Sequence, residues 1–227
     1  MKKVNLLDLG VTDYMDALDI QKKIHQLRVD RRIEDTLILT QHKPVITLGK
    51  TADDSNILLG KEALEQKGVR VYSVNRGGDV TFHGPGQLVG YPILHLRESG
   101  LGVRDYLSML LDVFVTLLRE SYGLDAHKEF GAYTGVWIEK RKITAIGIQV
   151  LSQVTLHGFA YNVSTDLSYF SWIHPCGLMD RFATSLEKEM GEKISWEVST
   201  QQVLDAFAYI FDWQWNWVEL NTILSKE

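Results

Sequence analysis

Cysteine is almost absent from this sequence. Cys176 is the only one, so no internal disulfide can form and the fold needs no oxidising compartment. Long apolar runs are missing too. The richest stretch, Leu110 to Leu118, is broken by Asp112 and Thr116 and is too short to span a bilayer. Neither sign of charge dominates. A net charge of −5 argues against a generally basic, nucleic-acid-binding surface. Lys2 and Lys3 are followed by Asp8, Asp13, Asp16 and Asp19, so the N-terminus reads as neither a signal peptide nor an acid-poor transit peptide. The expectation is a cytoplasmic protein with no membrane and no nucleic-acid partner. Metal and nucleotide signatures are also lacking. No His-Glu-x-x-His occurs, and one cysteine cannot build a thiolate zinc site. Gly77-Gly78 lacks the Gly-x-Gly-x-x-Gly spacing, and no Gly-Lys-Ser/Thr loop follows it. Neither a metal nor a cofactor is expected.

What is present is ordinary globular material. Hydrophobic residues make up 45% of the chain, enough for a sizeable core. One domain is expected over residues 1–227, with a less diagnostic, Trp-rich tail at about residues 212–227. From Asp13 a helical pattern begins, with Tyr14, Ala17, Leu18, Ile24 and Leu27 on one face. Thr36 to Thr40 and Val45 to Leu48 read as strands joined at His42-Lys43-Pro44. Asn56 to Lys67 looks helical and is capped by Gly68. Val69 to Val74 and Gln87 to Leu96 read as strands. Leu107, Leu110, Leu111, Phe114, Leu117 and Leu118 repeat at helical spacing up to Gly123. Thr134 to Val163 reads as a three-strand meander bending near Lys140-Arg141 and Leu151-Ser152-Gln153. A helix over Thr200 to Phe211 precedes Trp213, Trp215 and Trp217, which alternate as on a half-buried strand. The order predicts an α+β fold with a mixed, largely antiparallel sheet and flanking helices.

Two distant segments carry the chemistry. One is RGGDVTFHGPGQ, Arg76 to Gln87, where glycines let backbone approach a ligand closely. Taken alone it also reads as a tight turn between two strands. The other is Cys176, between Pro175 and Gly177, which place it on irregular backbone. A lone cysteine is often a small buried apolar group, but a thiolate is a strong nucleophile that can hold an acyl group as a thioester. An ordinary thiol pKa of ~8.5 leaves little thiolate at neutral pH, so a neighbouring cation is needed. Lys142 is the candidate, although a hairpin lysine also reads as a solvated one. Among the histidines, His83 stands out by lying inside the glycine run, ahead of His157 and His174.

Four blocks then converge: RGGDVTFHGPGQLVGYPI from Arg76 to Ile93, KITAIGIQV from Lys142 to Val150, HGFAYNV from His157 to Val163, and DLSYFSWIHPCGL from Asp166 to Leu178. In this order they resemble the bacterial octanoyltransferases of lipoate synthesis, the lipoyl(octanoyl) transferases. The resemblance spans roughly Thr36 to Phe211. It implies a fold akin to the biotin and lipoate protein ligases. It implies transfer of an octanoyl group from octanoyl-acyl carrier protein to a lysine of lipoyl domains, those of 2-oxoacid dehydrogenases or the glycine cleavage H protein. Cys176 is then the acyl-thioester nucleophile and Lys142 the residue that lowers its pKa. The acyl pocket is lined by Arg76, Gly77, Gly78, Asp79, Val80, Thr81, Phe82 and His83, with Ala145, Ile146 and Gly147, and with Gly158, Phe159 and Ala160. Gly147 and Gly158 are expected to leave room for the chain, and basic residues near Lys140 or Arg28 to dock the acidic donor. Three other readings are compatible with these residues: an octanoyl amidotransferase between lipoyl domains, an ATP-dependent lipoate-protein ligase, and a non-catalytic acyl-binding protein.

Overall fold

Strand alternation sorts the apolar residues onto two faces of one large sheet. In the computed structural model, residues 1–173 and 181–226 are described; His174 and Cys176 lie outside the described residues. The chain begins with β1 (Lys2–Thr12), α1 (Tyr14–Val29), β2 (Thr36–His42), β3 (Val45–Leu48), α2 (Lys61–Gln66) and β4 (Arg70–Ser73). It continues with β5 (Val80–His83), β6 (Gln87–Ile93), α3 (Val103–Tyr122), β7 (Ala126–Glu129), β8 (Gly135–Ile138), β9 (Arg141–Leu151) and β10 (Val154–Asn162). Beyond the undescribed stretch follow β11 (Phe182–Ala183), α4 (Leu186–Met190), α5 (Trp196–Phe211), β12 (Trp213–Trp217) and α6 (Leu220–Leu224).

The large sheet has the order β12-β1-β2-β6-β10-β9-β8-β7, with β11 added beside β9. β1 runs parallel to both neighbours, and β11 parallel to β9. The remaining pairs are antiparallel. The fold is the expected α+β, with a mixed and mostly antiparallel sheet. Leu37 and Leu39 on β2, Leu88 on β6, and Phe159 and Tyr161 on β10 pack with α3 and α5 on one face. Their strand neighbours Ile38, Val89, Tyr91 and Ala160 pack with α1 and α6 on the other, as a period of two requires. Each fully buried Leu or Phe contributes about 1.5–3 kcal/mol. A small sheet, β4-β3-β5, forms its own core from Ile46, Leu48, Val80 and Phe82. No helix among the described residues is long and apolar enough to cross a membrane.

Several expectations are corrected. The helix expected over Asn56 to Lys67 is confined to α2, preceded by a short 3-10 turn at Asp54–Asn56. The glycine run is not one turn between two strands, because Val80–His83 inside it forms β5, paired antiparallel with β3. β1 and β7 carry no expectation. β1 lies between β12 and β2 with Val4, Asn5, Leu6 and Leu7 all buried, so it lacks the alternation that marks a half-exposed strand. Of the basic residues near Arg28, Arg31 and Arg32 are exposed, and the buried one is Arg28 itself. It is 4% exposed, with its Nε 2.6 Å from Asp35 and its Nη2 bonded to Glu98.

Candidate active site

A cavity of about 670 Å³ is lined by residues of both sheets, from β5 of the small one and from β6, β9 and β10 of the large one. The floor is built from small residues facing each other across the β9–β10 ladder, Ala145 with Ala160 and Gly147 with Gly158. Over them folds the glycine run, where the Gly77 N–H donates to the Ile148 carbonyl at 3.1 Å. Gly147 does not itself provide acyl space. A Cβ there would lie 2.7 Å from the Gly77 carbonyl oxygen, so its missing side chain lets two backbones touch. Gly158 behaves alike, since its Cβ would lie 2.2 Å from the Gly90 oxygen. The cavity is what remains beside these close contacts.

Of the predicted residues in the run, Arg76, Gly77, Gly78, Asp79, Val80, Thr81 and His83 line the cavity, and Phe82 is not among the lining residues. Phe82 stacks on Tyr169 at 4.4 Å in the small-sheet core. Arg76 is buried, and its Nη2 donates to the Thr47 carbonyl at 2.8 Å while its Nη1 donates to the Gly77 carbonyl at 3.0 Å, which fixes the turn. The Asp79 carboxylate accepts from the Asn56 amide at 2.9 Å and from the Val80 N–H at 2.7 Å. Ala145, Ile146, Gly147, Gly158, Phe159 and Ala160 also border the cavity. The ring of Phe159 turns to the opposite face and packs on Phe114 at 4.7 Å.

A chain of hydrogen bonds assigns the His83 tautomer. Thr184 donates its N–H to the Lys142 carbonyl at 2.9 Å. The Thr184 carbonyl accepts from Asn162 Nδ2 at 2.9 Å. Asn162 Oδ1 therefore accepts from Gln87 Nε2, also at 2.9 Å. Gln87 Oε1 is left to accept from His83 Nδ1 at 2.8 Å. His83 thus carries its proton on Nδ1, and Nε2 is its basic nitrogen. Burial, aided by His42, pushes the His83 pKa down to about 3, so the ring is neutral.

Lys142 stands at the end of β9, where β10 has ceased to pair and β11 takes its place: Ala183 is the register partner of Lys142. Its Nζ donates to the Thr134 carbonyl at 3.3 Å and lies 4.7 Å from the Trp137 ring centroid. Lys142 lines the cavity. So do Ile173 and Arg181, the described residues that flank the stretch containing Cys176.

Residues 13–208 of this sequence match the lipoyl protein ligase A/B catalytic domain. The chain belongs to this family. It is 49% identical to an octanoyltransferase of Caldicellulosiruptor saccharolyticus, over 92% of this chain and 89% of that one. With an octanoyltransferase of Desulforamulus reducens it shares 44% identity, over 99% and 100%. It is an enzyme, an acyltransferase. Its fold is similar to a putative lipoate protein ligase from T. acidophilum with bound lipoic acid (TM-score 0.75, 14% identity, 100% of this chain and 94% of that one). A biotin protein ligase from Aquifex aeolicus is more distant (TM-score 0.50, 14% identity, 93% and 70%).

Within this member of the family, sequence reasoning missed Trp137, Arg181, Tyr14, Tyr91 and Asn162, all of which line the cavity. Trp137 carried a weak cue. It sits two residues from Gly135 on the first strand of the meander, and both border Lys142. Tyr14 comes from α1 and stacks on His83 at 5.9 Å, a contact between segments too distant in sequence for periodicity to reveal.

Proposed function

We propose that this enzyme moves an octanoyl group from the thioester of an acyl carrier protein to a lysine of a lipoyl domain, through a thioester on Cys176. The lipoyl domains of 2-oxoacid dehydrogenases and the glycine cleavage H protein are the proposed acceptors, and the cytoplasm, where a lone thiol stays reduced, is the proposed setting. The observation that carries the reading is the convergence on Lys142. The backbone just beyond the Cys176 stretch is hydrogen-bonded to the Lys142 carbonyl, and both described ends of that stretch line the cavity that Lys142 lines.

The Lys142 ammonium favours the Cys176 thiolate. The thiolate attacks the carbonyl carbon of the octanoyl thioester. A new C–S bond forms, the bond to the carrier sulfur breaks, and the departing thiolate takes its proton from Lys142. The now neutral Lys142 amine is the base for the second half. The acceptor lysine nitrogen attacks the Cys176 thioester, a C–N bond forms, the C–S bond breaks, and the amine's surplus proton passes to Lys142. Passing an acyl group from a thioester to an amine is downhill, so no nucleotide is consumed.

The cavity suits the chain. Its volume is about 670 Å³, and Val80, Ile146 and Ile148 are among its apolar walls. An extended eight-carbon chain, with its seven bonds at the ~1.2 Å per bond of an extended backbone, reaches about 8 Å. Burying six methylenes contributes roughly 5 kcal/mol. Intact mass after mixing with octanoyl-acyl carrier protein tests the assignment. The wild type is expected to gain one octanoyl group and Cys176→Ser none. The same thioester-labile adduct on Cys176→Ser would refute the nucleophile.

A further inference from the structure

Lys142 lies in a cradle supplied by one short segment. A Cβ on Gly135 would lie 3.2 Å from Lys142 Cε and 3.3 Å from its Cδ. The lysine stem therefore passes over the bare backbone of Gly135. The ammonium then meets the Thr134 carbonyl at 3.3 Å and the face of Trp137. The ring is itself fixed: Trp137 is buried, and its Nε1 donates to the Tyr133 carbonyl at 2.9 Å. Its second cationic contact is Arg181, whose guanidinium carbon lies 4.6 Å from the Trp137 centroid and 4.3 Å from that of Tyr133. Arg181 Nη1 reaches both Glu129 oxygens, at 2.8 and 2.7 Å. Two cations against one ring repel each other, and the Glu129 carboxylate offsets the charge of Arg181. Simple core packing would call for neither of them.

We propose that Trp137 is a positioning residue for the transfer, with its indole fixing where the Lys142 ammonium stands and with Arg181, on the same ring, tying that placement to the chain that follows Cys176. The inference rests on the reading of Cys176 and Lys142 given above. An aromatic face attracts a cation without neutralising it. The lysine is thus held near its post but stays able to give up and regain a proton.

The test is the rate of Cys176 alkylation by iodoacetamide against pH, on the full chain, with circular dichroism to establish folding. Lys142→Ala serves as the reference, and its midpoint is expected to rise toward the ordinary ~8.5 of a thiol. No rise would sink the Cys176–Lys142 reading, and this inference with it. Given that rise, Trp137→Leu is expected to raise the midpoint and slow alkylation at neutral pH by about 5- to 10-fold, and Trp137→Phe to recover most of the rate. A wild-type midpoint in folded Trp137→Leu overturns the inference and leaves the reading standing. If Trp137→Leu does not fold, Arg181→Gln decides: slowing of about threefold or more is expected, and an unchanged profile overturns the inference.

Discussion

His42, His83 and His157 lie in or beside the cavity, and burial keeps all three neutral. His42 and His83 are 5.8 Å apart between ring centroids. Burial pushes His42 down to about 4, and burial together with Arg76 pushes His157 down to about 4, alongside His83 at about 3. In the unfolded chain each returns to ~6.5. Between those limits the unfolded state binds more protons, so the stability these groups contribute is complete above pH ~6.5 and declines as the pH falls toward 4. The slope is about 1.4 kcal/mol per pH unit for each histidine, or roughly 4 kcal/mol for three. Urea unfolding at pH 7 and pH 5 is expected to show this loss, and His42→Gln a shallower one. Equal slopes in both proteins would mean that His42 does not titrate as argued. His83 is visible in the sequence because the glycine run surrounds it. His42 is not, because its setting depends on Tyr91, whose hydroxyl lies 2.6 Å from His42 Nε2.

Elements with a clean period are the ones that can be read in advance. α3 is legible because Leu110, Leu111, Phe114, Leu117 and Leu118 recur on one face and all are buried, with Leu107 half-buried and its neighbour Tyr106 taking the core position, and because Gly123 ends the helix at φ 64°. A Cβ at Gly123 would meet nothing within 4 Å, so its role is purely conformational. Gly123→Ala is expected to lower stability by about 1 kcal/mol, since alanine resists the left-handed region, and to leave the transfer rate unchanged. Chemical denaturation and an octanoyl-transfer assay on the same sample check both halves. An unchanged unfolding midpoint would contradict the cap. The Lys142 cradle is illegible for the opposite reason. It depends on a register shift between Val136 and Trp137 against β9, and no side-chain pattern announces a bulge. The glycine run conceals β5 for a similar reason: four residues are too few for alternation to outweigh the glycines around them.

Across the whole molecule, the Trp-rich tail proves to be a structural edge and not an appendage. β12 pairs with β1 from Lys2 opposite Trp213 to Leu6 opposite Trp217. Trp213 is 4% exposed, stacks on Phe207 at 5.6 Å and packs at a tilt against Phe211 at 4.6 Å. Truncation after Asp212 therefore opens the buried strand β1 to solvent as a new edge and removes a core tryptophan, a loss of about 3–5 kcal/mol from the cavity term alone. Truncation after Val218 keeps the ladder and loses chiefly the buried Ile223 of α6. The shorter chain is expected to melt well below the longer one and to aggregate on size exclusion. The chemistry should respond differently from the stability. Five strand spacings separate β12 from β9, about 24 Å at 4.8 Å each, so the tail touches neither Lys142 nor the cavity floor. At a temperature where both truncated chains remain folded, their alkylation profiles at Cys176 should coincide with that of the full chain. A profile displaced only in the chain ending at Asp212 would mean that the far edge of the sheet holds the site in place, and that the cavity is not fixed by its own strands alone.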